Sequence, residues 1–153
     1  MTSESLKARI QHDLTDAIRS KDKVRAGTLR MALTAMTTEE VAGEQARELT
    51  DDEVVKVLAK EAKKRKEAAA AYVGAGREEL AQAENAELAV LQAYLPAQLE
   101  DEELATVVDR AIAEVGATSA AHMGQVMKAA QAVVAGRAEG GRIAAMVRQR
   151  LSS

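Results

Sequence analysis

The chain has 153 residues and a mass of 16.3 kDa, the size of one domain or of two small helical units sharing the work of a core. It contains 33 Ala against 14 Val and 4 Ile, with no Phe, Trp or Cys and only Tyr72 and Tyr94 as aromatics, so a sheet-rich fold, a disulfide framework, a thiolate nucleophile and a zinc finger are all excluded. The net charge of −3 gives no overall case for nucleic acid, but residues 1–77 carry +2, residues 78–116 carry −9 and residues 117–153 carry +4.

Leu6, Ile10, Leu14, Ala17 and Ile18 recur at helical spacing, which predicts a first amphipathic helix over residues 4–20 with Ser3 or Ser5 as its cap. A second helix runs through Val24, Thr28, Met31 and Ala35 to near Gly43. Leu29, Leu33 and Met36 lie on its other side, so it is expected to be well buried between neighbours. Thr50 with Glu53 three positions later is a capping box opening a third helix to about Tyr72. After Gly74 and Gly76 a fourth helix spans about Arg77 to Tyr94, forming an antiparallel hairpin with the third.

Pro96 is the only proline and marks a boundary between two subdomains, residues 1–96 and 97–153. Beyond it a fifth helix covers about 101–115 and stops at Gly116. A sixth carries Met123, Val126, Met127, Ala130 and Val134, and a seventh carries Ile143, Val147 and Leu151 after Gly140 and Gly141. The reading is all-α: an N-terminal four-helix unit with a long hairpin, and a C-terminal three-helix unit. No apolar run approaches the roughly 20 residues of a membrane span, and Met1 to Lys7 lacks a signal-like apolar stretch, so a soluble cytoplasmic protein is expected.

Few residues look chemical. His12 and His122 stand in no metal-ligand spacing, and no Ser lies in a nucleophile-elbow motif. At about 100° per residue, Glu61 and Arg65 share the stripe of Val54 and Leu58, while Glu84 and Glu87 share that of Leu80 and Leu91. Two readings follow: a carboxylate metal site, which in bundles normally adds histidines, or a salt bridge between Arg65 and Glu84 or Glu87 across the hairpin, with Glu61 beside it. Lys56, Lys60 and Lys63 fall on one helical face, widened by Lys64 and Lys66. Lys128, Arg137, Arg142, Arg148 and Arg150 face a single acid, Glu139, in the last third. Either set is a candidate phosphate contact or merely a solvated surface. The C-terminal set is the stronger candidate, since the start of the helix at Gly140 would add backbone N–H groups.

Together these residues resemble the GatB/YqeY family, over nearly the whole chain. The hairpin carries Glu61, Lys63, Arg65 and Glu67, then Ala75, Gly76, Arg77 and Leu80, then Glu84, Glu87, Leu88, Tyr94, Leu95, Pro96, Gln98 and Leu99. The C-terminal unit carries Gly116, Ala117, the run Met123 to Met127, and Gly136 to Gly140. His122 and Glu139 stand where the family usually has Asp; the first bears on a helix cap and the second lengthens the acidic arm. The resemblance implies a two-part all-helical adapter that binds tRNA or an amidotransferase-related partner. It brings no cofactor, no metal and no catalytic residues, because in the tRNA-dependent amidotransferase the glutamine chemistry belongs to other domains. Two alternatives are a component of glutamine-dependent carbon–nitrogen ligase activity, and a protein-interaction module that uses the acidic 78–116 segment.

Overall fold

The computed structural model describes residues 4–152, and among them there are seven α-helices, one 3-10 turn and no strand. Each early helix begins where the sequence offers an oxygen to an orphan N–H. α1 (Leu6–Arg19) starts at Ser5, whose Oγ accepts from the Ala8 amide at 3.1 Å. α2 (Lys23–Glu40) starts at Asp22, which accepts from the Arg25 amide. α3 (Asp51–Gly74) opens with the complete Thr50–Glu53 capping box, and α4 (Glu78–Gln92) follows after a three-residue turn. α5 (Asp101–Val115) ends at Gly116, whose φ of 72° suits a residue without Cβ. A 3-10 turn (Ala120–His122) leads into α6 (Met123–Val134), and α7 is Gly140–Ser152.

The chain divides into two compact units, Met1–Leu95 and Pro96–Ser153. In the first, Ile10, Leu29, Ala32, Met36, Val54, Leu58, Ala62, Leu91 and Tyr94 form the core, with α3 and α4 packed along their length. In the second, Leu104, Val108, Val126, Ala130, Val134, Ile143 and Val147 do the same for α5, α6 and α7.

α2 departs from expectation. It touches α1, α3 and α4 and buries Ala26, Thr28, Leu29, Ala32 and Met36, but of its second stripe only Thr28 is buried, its hydroxyl donating to the Val24 carbonyl, while Val24 and Met31 are 50% and 42% exposed. The second side is therefore covered only in part. α7 starts at Gly140, as expected, and the turn before it is made by Ala135 and Gly136, with φ of 48° and 84°.

Ala135 caps α6 in the left-handed conformation, where a Cβ crowds the following carbonyl. Replacing it with Gly removes that crowding. Ala135→Gly is expected to stabilise the protein by about 1 kcal/mol, the lower end of the range for a left-handed residue, and a urea melt with unchanged slope would check it.

A second expectation concerns pH. Arg47 forms an ion pair with Glu53, and with the Thr50 amide this holds the Glu53 carboxyl down at about 2 instead of its ordinary 4.5. A carboxylate with a depressed folded pKa adds stability above its unfolded value and loses it as pH falls toward the folded one. The melting-temperature advantage of the native protein over Glu53→Gln should therefore be full at pH 6 and shrink between about pH 4.5 and 2. An advantage that stays flat across that window would show that Arg47 does not hold Glu53.

Candidate nucleic-acid interface

The C-terminal arginines are tied largely to their own unit. Arg137 turns back onto the end of α6, its Nε donating to the Val134 carbonyl at 3.0 Å and an Nη to the Val133 carbonyl at 2.9 Å. A cation there satisfies orphan carbonyls and complements the negative end of the helix. Arg142 donates from one Nη to the Leu99 carbonyl and to Asp101, both at 2.8 Å, and Arg150 pairs with Asp109 at 3.5 Å. The Leu99 amide donates to the Arg137 carbonyl at 2.7 Å, and Gln98 donates to the Pro96 and Gly136 carbonyls. Residues 96–101 are thereby stitched to residues 136–142.

That stitching gives a structural role to Pro96, Gln98, Leu99, Gly136 and Arg137 of the family pattern. The Glu139 carbonyl accepts from the Ile143 amide at 3.1 Å, so an acidic residue stands at the start of α7, where a phosphate was expected to dock. Of the C-terminal set, Lys128 and Arg148 are exposed and hold no ion pair among the described residues. His122 precedes α6 without capping it; its Nδ1 accepts from the Thr118 amide at 3.4 Å instead.

In the first unit Arg65 is 9% exposed and sits where α2, α3 and α4 meet. One Nη contacts Glu61 at 2.7 Å, one turn back on α3, and Nε lies 3.4 Å from Glu87 on α4 without hydrogen-bond alignment. The other Nη donates to the Met31 Sδ of α2 at 3.4 Å. Glu84 is half-buried and makes no ion pair with Arg65. Glu61 also accepts from Lys64 at 3.3 Å. Among the described residues no group of three or more His, Cys, Asp or Glu side chains is placed to hold a metal ion. No helix there is long and apolar enough to cross a membrane.

Sequence reading missed a second polar cluster in this unit. The Tyr94 hydroxyl donates to Asp13 at 2.5 Å, Arg25 lies 3.6 Å from the same carboxylate, and the Arg9 guanidinium stands 5.1 Å over the Tyr94 ring. Burial, reinforced by Asp13, pushes the Tyr94 phenol up. Arg25 is held above its ordinary value by the Tyr94 hydroxyl first and Asp13 second. Asp13 and Tyr94 are 81 positions apart, and no local spacing announces such a pair.

The lysines of α3 are placed differently. Lys56, Lys60 and Lys63 are all exposed, and no ion pair or hydrogen bond holds them among the described residues. Steps of four and three residues set them on one face over about 10 Å of helix. The Yqey-like protein family matches the chain over residues 7–151. The chain belongs to the YqeY-like family. It is also 34% identical, over 93 residues, to an uncharacterized protein of Schizosaccharomyces pombe; the match covers 60% of this chain and 73% of that protein. Among the residues that carry the resemblance, Arg65 pairs with Glu61 and with Glu87, Tyr94 binds Asp13, and the Leu99 amide binds the Arg137 carbonyl, whereas Lys63 and Glu67 face solvent with no ion pair or hydrogen bond among the described residues.

Proposed function

We propose that this YqeY-like chain is a helical adapter without an active site of its own, and that it binds tRNA through the Lys56, Lys60 and Lys63 face of α3. The observation that supports this reading is the contrast in how the cations are used. Arg137 and Arg142 are spent on backbone carbonyls and Asp101, whereas the three lysines project from one exposed helical face with no ion pair or hydrogen bond among the described residues. An unpaired cation has no bond of its own to break before it meets a phosphate, while a paired one must first give up its partner. Lys63 belongs at once to that face and to the family pattern, and no packing role accounts for it.

Fluorescence anisotropy with tRNA across a salt series tests the proposal. Three neutralised phosphates give a slope of log affinity against log salt of about −2 to −3. Lys60→Ala with Lys63→Ala should flatten it by about two and weaken binding at low salt. Lys128→Ala with Arg148→Ala should leave the slope alone. The opposite pattern would move the contact to the second unit, and absence of binding by the native protein would sink the RNA reading in favour of an amidotransferase-related protein partner.

A further inference from the structure

We infer that Met31 is an oxidation site whose sulfoxide is received by the buried Arg65 guanidinium. Met31 lies at the edge of the α2–α3 contact and is 42% exposed, while Met36 is fully buried and Met123, Met127 and Met146 are partly covered by the core of their own unit. Its Sδ lies 3.4 Å from an Nη of Arg65. A thioether is a weak acceptor, so this guanidinium, in a buried position, has only a poor partner on its Met31 side. Its Nε is also without an aligned hydrogen bond. Glu61 and Glu87 outweigh the single charge of Arg65, with Lys64 answering Glu61, while the Nη that faces Met31 donates only to the thioether.

The chemistry needs only hydrogen peroxide as oxidant. The Sδ lone pair attacks one peroxide oxygen and the O–O bond breaks. The leaving hydroxide takes the proton of the transferred oxygen, giving one sulfoxide and one water, with sulfur oxidised and peroxide reduced by two electrons. Arg65 gives up no proton; it positions. The new oxygen carries substantial negative charge and projects from the atom that already faces Nη, so a weak contact becomes a strong, charge-assisted one. Oxidation of an apolar methionine ordinarily disrupts its surroundings. At Met31 the polar product meets a waiting cation instead.

Peroxide titration of the full chain, followed by peptide mass mapping, should show Met31 gaining one oxygen several-fold faster than Met123, Met127 or Met146. Exposure alone would favour that order, so stability supplies the decisive readout. The protein oxidised only at Met31 should melt at or above the temperature of the reduced protein. Met31→Gln, which places a carbonyl oxygen near the same point, should melt above Met31→Leu, which keeps the bulk and offers no acceptor. Methionine sulfoxide reductase should return the oxidised protein to its original melting curve. If Met31→Leu melts at or above Met31→Gln, or if oxidation at Met31 lowers the melting temperature as a surface lesion would, Arg65 does not receive the sulfoxide.

Discussion

Arg65→Ala is expected to destabilise the protein by about 3 kcal/mol, the lower end of the range for removing one partner of a buried ion pair. The loss comes from what stays behind. Glu61, with only 14% of its side chain exposed, would keep a carboxylate against the apolar stripe of α3 with only the more exposed Lys64 to answer it. Glu87 is 33% exposed and recovers part of its hydration, which keeps the loss at the lower end of that range. The urea midpoint should fall by about 1 to 2 M at an ordinary slope. The network should matter only as a unit, so Arg65→Met combined with Glu61→Gln is expected to regain much of the loss. A midpoint in Arg65→Ala close to that of the native protein would mean that the guanidinium is effectively solvated.

The partner of Arg65 across the hairpin shows how far sequence reaches. Turning the chain between Ala75 and Arg77 places residues equally distant from Gly76 opposite one another, and 65 and 87 are such a pair; Glu84 is nearly a turn away and stays out of contact. Helical phase therefore finds the seam, and the turn register chooses the acid. The Thr50–Glu53 box and the stop at Gly116 were equally legible, because a cap is written within four residues of the backbone it serves.

The roles of the C-terminal arginines were not legible. Arg137 and Arg142 count as cations in a sequence, but what they bind are mainly carbonyl oxygens at Val133, Val134 and Leu99, groups every residue owns and no composition reveals. The left-handed Ala135 was hidden for a related reason: the usual marker of that conformation is glycine, and Gly136 beside it suggested no break before Gly140. The α3 lysines looked like any solvated face. What separates them from Arg137, Arg142 and Arg150 is the absence of an ion pair or hydrogen bond among the described residues, which only the folded chain displays.

Leu58→Ala should cost about as much as any single substitution in the first unit, about 4 kcal/mol within the range for a buried leucine. Leu58 is fully buried in the core shared by α1, α2, α3 and α4. The transfer of the lost methyl groups accounts for part of that cost; the remaining cavity accounts for the rest. How much of the cavity closes depends on neighbours with rotamers to spare, and this core includes Ala32 and Ala62, which have none. A core built from many alanines thus concentrates its burial in a few large side chains, here Ile10, Leu29, Met36, Val54, Leu58 and Leu91. Leu58→Met, which conserves volume and bends, should cost less than about 1.5 kcal/mol, and Val73→Ala, at a 55% exposed site, should change stability by less than about 0.5 kcal/mol. If Leu58→Ala proves no worse than Leu58→Met in a urea melt, the helices of the first unit close over the vacancy and the alanine packing is softer than its composition implies.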